Sequence, residues 1–153
     1  MVYLTGEYDA TLDEKNRISL PANFRRDLDV SYMHITEGNE KCLRLYTPLE
    51  WEKVVNEIMD NTNPYNKTGR DLRRRIIGPA HKVEIDKVGR IPVPSSLREY
   101  SGILKECMVV GQIEYIEIWS KDNYTAFKQA DDEDFEIASE ELGNILKNRG
   151  KNA

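Results

Sequence analysis

The sequence predicts an α+β fold built from two pseudo-symmetric halves. Three observations carry this. The chain repeats itself at an interval of 73 residues, each copy opens with alternating apolar residues around a tight turn, and each copy later runs into a segment of helical period. Its 153 residues suffice for one compact domain or two small related ones, with a core that needs no staples. With 39% hydrophobic and 32% charged residues, the chain is polar but globular.

The repeat is explicit. Asp13-Glu14-Lys15-Asn16-Arg17-Ile18-Ser19-Leu20-Pro21-Ala22-Asn23-Phe24-Arg25 falls on Asp86-Lys87-Val88-Gly89-Arg90-Ile91-Pro92-Val93-Pro94-Ser95-Ser96-Leu97-Arg98. Asp, Arg, Ile, Pro and Arg are identical, five of 13 positions, where chance gives about one. The interval continues without a gap: Gly38 falls on Gly111, Leu43 and Leu45 on Ile116 and Ile118, Tyr46 on Trp119, and Trp51 on Tyr124. Two copies at so long a period indicate a pseudo-two-fold unit rather than an open array.

Each half begins with a half-buried strand, marked by Ala10 and Leu12 or by Val83 and Ile85. The Asp-X-X-(Asn/Gly)-Arg segment that follows is a turn. Asn16 and Gly89 are the residue types that best tolerate positive φ, so both copies need a left-handed residue there. Ile18 and Leu20, or Ile91 and Val93, form a second short strand. Pro21 and Pro94 then open a helix of about two turns. Two further strands follow, 34–36 with 43–46 and 107–110 with 115–119.

Thr47-Pro48-Leu49-Glu50 reads as a capping box for a helix whose apolar face is Trp51, Val54, Val55 and Ile58. Ser120 starts the equivalent helix, with Tyr124 and Phe127 on its face. A helix over 66–77, carrying Arg70, Arg73, Arg74 and Arg75, joins the halves and is stopped by Gly78-Pro79. A last helix starts in Asp131-Asp132-Glu133-Asp134. Phe135, Ala138, Leu142 and Ile145 are expected to pack as its apolar side. Its acidic start and basic end suit the helix dipole. The chain terminus is expected to fray. The resulting partition is 3–63 first repeat, 64–78 connecting helix, 79–128 second repeat, and 129–153 acidic helix and tail.

Composition and motifs exclude several classes. Cys42 and Cys107 make no disulfide framework, and no signal peptide or apolar run of about 20 residues appears. The expected compartment is the cytoplasm. No HExxH, Walker A loop, GxSxG elbow or paired CxxC is present. His34 and His81 match no zinc spacing. An enzyme is therefore not expected, nor a metal, cofactor, small-molecule substrate or membrane partner.

What repeats is an Asp and an Arg four apart around a turn. One such copy is ordinary turn chemistry, the Asp capping and the Arg paired. Two copies in one register place Arg17 and Arg90 side by side, with Lys15 and Lys87 adding positive charge. Paired basic turns suit duplex DNA, whose phosphates attract cations and whose major groove admits a two-stranded ribbon or loop. Asp13, Asn16, Asp86 and Gly89 shape the turns. Val88 stands where the first turn has Lys15, so the first turn is expected to bind phosphate the more strongly. The competing view is an oligomeric protein-interaction or scaffold module using the same turns.

The pattern Asp-X-X-(Gly/Asn)-Arg-Ile-X-(Leu/Val)-Pro-X-X-(Phe/Leu)-Arg resembles the swapped-hairpin motif of AbrB-like transcription factors. Two tandem copies, followed by Cys42-Leu43-Arg44-Leu45-Tyr46-Thr47-Pro48-Leu49-Glu50-Trp51 or Ile116-Glu117-Ile118-Trp119-Ser120, resemble the bacterial MraZ family over about residues 3 to 127. Asn16 departs from the usual Gly, but Asn adopts the same backbone angles. The resemblance implies a pseudo-dimeric, double-ψ or swapped-hairpin AbrB-like β-barrel closed within one chain. It implies a nucleoid-associated transcriptional regulator of the division and cell-wall gene cluster. It also implies assembly into a homo-oligomeric ring whose neighbouring subunits read direct repeats in a promoter. The family's DNA signature maps onto Asp13 and Arg17, and onto Asp86 and Arg90.

The formal net charge of −5 argues against nucleic acid only superficially. Residues 129–145 hold seven acids and no base. Without them, 22 basic side chains face 20 acidic ones, a balance of +2. Arg70, Arg73, Arg74 and Arg75 lie outside the repeated motif and are expected to be a solvated face or a subunit contact before a DNA patch.

Overall fold

A computed structural model describes residues 3–151, so the tail beyond Lys151, expected to fray, lies outside the described residues. The chain divides into two compact units, residues up to Lys121 and residues from Asp122 onward.

Among its described residues, the first unit contains eight strands and four α-helices: β1 (Glu7–Thr11), β2 (Arg17–Ser19), α1 (Ala22–Asp27), β3 (Tyr32–Glu37), β4 (Leu43–Tyr46), α2 (Pro48–Asn61), α3 (Lys67–Leu72), β5 (His81–Glu84), β6 (Arg90–Pro92), α4 (Ser95–Ser101), β7 (Glu106–Gly111) and β8 (Ile116–Ser120). The strands make two sheets. One has six strands in the order β1-β7-β8-β4-β3-β5, and the other pairs β2 with β6.

The two sheets express the repeat directly. Exchanging the halves swaps β1 with β5, β7 with β3 and β8 with β4, so the six-stranded order is palindromic. The pseudo-dyad passes between the Cα partners Arg44 and Glu117 at the sheet centre. It also passes between Ile18 and Ile91 at the middle of the ribbon. Neither β1 nor β5 pairs with the short strand that follows it. Each pairs into the other sheet, β1 with β7 and β5 with β3, while β2 and β6 pair with each other.

The expected closed barrel is not what forms. The six-stranded sheet is open, with β1 and β5 at its edges. The cause lies in the ribbon. β2 and β6 are three residues long, and Pro92, Pro21 and Pro94 remove backbone donors in or just beyond them. The short strands can hydrogen-bond each other but cannot continue as a ladder against β1 and β5. Leu20 N to Gly89 O at 2.9 Å and Val93 N to Asn16 O at 3.0 Å complete the ribbon at both ends.

The ungapped interval also needs correction. β3 and β7 have nearly the same burial pattern, but Tyr32 corresponds to Glu106, a separation of 74 rather than 73. Glu37, not Gly38, is the counterpart of Gly111. The loop before β7 is longer by one residue and the loop before β8 shorter by one, which restores the interval at Leu43 and Ile116.

The core fills the space between sheet and ribbon. Ile18, Leu20, Ile91 and Val93 from the ribbon join Met33, Ile35, Leu43, Leu45, Val109, Ile116 and Ile118 from the sheet, with Phe24 and Leu97 from α1 and α4. Pro21 and Pro94 occupy the residue before each short helix, one position earlier than expected. Thr47 caps α2 by accepting from Glu50 N, while the Glu50 carboxylate meets Lys53 instead of reaching back. Trp51 stacks on His34, at 5.4 Å between ring centres, and touches Tyr46. α3 runs into a π-helical turn over Arg73–Ile77, ended by Gly78 N bonding to Arg73 O.

In the second unit, α6 (Asp132–Lys151) follows α5 (Lys121–Ala130), which begins at the unit boundary. The residues expected to form the packed apolar side of α6 are instead open to solvent. Phe135, Leu142 and Ile145 are each more than half exposed. Among the described residues, no helix is long and apolar enough to cross a membrane.

Candidate nucleic-acid interface

The two turns are built alike. Asp13 Oδ1 accepts from the backbone N–H groups of Lys15 and Arg17, both at 2.9 Å, and its Oδ2 accepts from Arg17 Nε at 2.9 Å. Asp86 Oδ1 accepts from Val88 N at 3.0 Å and Arg90 N at 2.9 Å, and its Oδ2 accepts from Arg90 Nε at 2.8 Å. Asp13 N to Arg17 O and Asp86 N to Arg90 O close the loops. Asn16 has φ +59° and Gly89 φ +84°, the left-handed conformations that the residue types imply. Asp13, Asn16, Asp86 and Gly89 thus hold the turn.

This arrangement sets the electrostatics of both carboxylates. Backbone N–H donation from Arg17 holds the Asp13 carboxyl below the usual range, and donation from Arg90 does the same for Asp86. Each arginine spends its Nε on the aspartate. That fixes the guanidinium plane and leaves the terminal nitrogens unused by that bond. A preoriented guanidinium loses less rotamer freedom on meeting an anion.

The turns are adjacent. Arg17 Nη1 lies 3.7 Å from Asp86 Oδ2, the oxygen that also accepts from Arg90. One carboxylate therefore sits between the two arginines. Arg17 and Arg90 are part exposed, with 26% and 36% of their side chains accessible. Lys15 and Lys87 are exposed beside them. All eight residues singled out from the sequence come together across the pseudo-dyad.

The family comparison decides which proteins share this construction. Residues 3–74 and 76–144 each match the family model described as "MraZ protein, putative antitoxin-like". The chain belongs to the MraZ family. A relative from Treponema denticola, named transcriptional regulator MraZ, is 41% identical over 142 residues, covering 93% of this chain and 99% of the relative. That name describes a regulator of transcription, not an enzyme. Each matched segment contains one copy of the turn motif, so the ribbon pairs one strand from each MraZ repeat.

One residue of the repeated motif was not singled out as a site residue. Arg25 of α1 crosses to the second turn, where its Nη1 donates to Val88 O at 2.9 Å. A Cβ built at Gly89 would lie 2.0 Å from Arg25 Cδ. The counterpart, Arg98, instead donates from Nε to Val93 O at 3.0 Å. The available signal was the Gly against Asn at the two turn positions.

The arginine-rich linker is largely engaged within the chain. Arg70 donates to Pro64 O, and Arg73 donates to Thr62 Oγ1 and O. Arg75 pairs with Glu37 at 3.1 Å and reaches Tyr100 Oη at 3.4 Å. These three arginines tie the connecting segment to its surroundings. Cys42 and Cys107 are buried free thiols, and burial pushes both up, Cys107 to about 11. Among the described residues, no group of three His, Cys, Asp or Glu side chains is placed to hold a metal.

Proposed function

We propose that the chain is a cytoplasmic DNA-binding transcriptional regulator whose two Asp-X-X-X-Arg turns form its DNA contact. The observation that carries this is the pairing of the turns: two arginines, each oriented by its own aspartate, flank one shared carboxylate across the pseudo-dyad. Arg17, Arg90, Lys15 and Lys87 are the cations that meet phosphate or base edges. Asp13, Asn16, Asp86 and Gly89 keep the turns in shape. The 41% identity to a protein named as a transcriptional regulator supports the same role.

The exchange of β2 and β6 supports the AbrB-like, swapped-hairpin reading of each repeat. The working partition stays at 3–63, 64–78, 79–128 and 129–153. A single pair of turns offers few phosphate contacts, so affinity is expected to come from several copies held together. A homo-oligomeric ring reading spaced direct repeats in the promoter of the division and cell-wall cluster supplies that through effective concentration.

Fluorescence anisotropy with a duplex from the promoter upstream of the chain's own gene tests the proposal. Arg17→Ala and Arg90→Ala should each weaken binding at least tenfold while leaving the thermal midpoint within a few degrees. Wild-type affinity in a folded double variant refutes it. Binding that hardly changes between 50 and 200 mM salt also refutes it and favours a protein partner, because phosphate contacts are strongly salt-dependent.

A further inference from the structure

We propose that Arg25 is a third cation of the second turn, delivered from the first repeat, and that it makes the second turn the stronger phosphate contact. The inference rests on the DNA-binding function proposed above and asks how that function is divided between the turns.

The first observation is the crossing itself. Arg25 starts on α1, in the first repeat, and ends on Val88 O in the second. Its aliphatic stem lies over the Gly89 backbone, which has no side chain to block it. Gly89 is buried, whereas Asn16 at the equivalent position is part exposed. At the first turn the equivalent residue, Asn16, carries a Cβ, and Arg98 is folded back onto Val93 O instead of crossing. Glycine at 89 therefore does more than supply positive φ, since Asn16 does that equally well. Its lack of a Cβ admits Arg25.

The second observation is charge. The first turn carries Asp13, Glu14, Lys15 and Arg17, which sum to zero. The second carries Asp86, Lys87 and Arg90, a balance of +1, and Arg25 raises it to +2. Lys87 takes the place of Glu14, which outweighs the loss of Lys15 to Val88. This reverses the order expected from position 15 alone. Arg25 comes from α1, but its guanidinium is bonded to Val88 O within the second turn, so its charge is added to that turn. Arg25 is exposed and uses one Nη on Val88, so the rest of its guanidinium remains free to meet a phosphate.

Four variants separate a phosphate contact from a brace: Arg25→Ala, Arg25→Lys, Gly89→Asn and Arg98→Ala. Each is compared with wild type by salt titration of anisotropy on the same promoter duplex. Losing one phosphate contact per bound chain flattens the slope of log K against log salt by about 0.9. Arg25→Ala should show that loss, and Arg25→Lys should keep the slope even if the loop loosens. Gly89→Asn should behave like Arg25→Ala, because Asn keeps the turn angle but its Cβ displaces the arginine stem. Arg98→Ala should match wild type. Circular dichroism melting checks that each variant is folded.

Wild-type slope in folded Arg25→Ala overturns the inference, as does an equal loss in Arg98→Ala. Loss in Arg25→Lys equal to that in Arg25→Ala also overturns it, by assigning Arg25 to bracing alone. Wild-type protein that binds no duplex even at 50 mM salt defeats the DNA-binding proposal itself, and this inference with it.

Discussion

The exchange of β2 and β6 predicts that one ribbon residue supports both repeats. Ile18 and Ile91 are fully buried and face each other at the ribbon centre. Ile91→Ala removes three carbons from a site with no exposure. At about 0.8 kcal/mol per buried methylene, the transfer cost alone is roughly 2.4 kcal/mol. The cavity left between ribbon and sheet raises the expected loss to about 3–4 kcal/mol. Trp51 lies in the first repeat and Trp119 in the second. Replacing each in turn with Phe yields proteins whose single tryptophan reports one repeat. Urea unfolding followed by fluorescence should show Ile91→Ala lowering both midpoints together, as cooperative loss of a shared core requires. A shift confined to the Trp119 reporter would refute the shared ribbon. So would a loss below about 1 kcal/mol. Ile18→Ala with Ile91→Ala should also cost measurably less or more than their separate effects added, because the two side chains share one site.

Two further outcomes follow from the site and its supports. The Asp13 and Asp86 carboxyls have lowered folded values, so their contribution to stability is complete above pH about 4 and is lost as pH falls through those lowered values. Carboxyl NMR titration should place both below the ordinary aspartate value, and titration at or above it would contradict the turn geometry. Gly111→Ala would drive a Cβ to 2.5 Å from the Leu4 and Thr5 backbone. It should destabilise by about 1–3 kcal/mol and expose the Leu4–Ile113 bridge to hydrogen exchange. Unchanged protection there would show that the N-terminal segment does not need this close approach.

Much of the fold was legible because its repeat is written in residues that local physics constrains. Asp13, Asn16, Arg17 and Pro21 each answer to a turn, a positive φ or a helix start, and so do their counterparts. Both copies of the turn were legible for the same reason. The exchange was not, because the apolar alternation around Ile18 and Ile91 marks a strand without naming its partner, and the pairing depends on the short, proline-bounded length of both strands together. The slipped register of β3 and β7 was hidden by the coincidence of Gly38 with Gly111, whereas burial follows the β-strand period of two and exposes the slip at once. The crossing of Arg25 has no local pattern. It depends on a side chain from one repeat finding the space that Gly89 leaves in the other.

The open sheet and the short ribbon together explain how an acidic chain brings its two basic turns together. Because β2 and β6 pair with each other, the turns that precede them emerge at the two ends of one six-residue ribbon and meet across the dyad. Each arginine is oriented by its own aspartate, and Asp86 lies near both guanidinium groups. If each turn instead folded back on its own β1, the two motifs would lie on separate hairpins with no geometric relation. The seven acids of residues 129–145 lie in a different unit from the turns. Net charge therefore says little about the interface, while the charge of each turn, and what crosses into it, says a great deal.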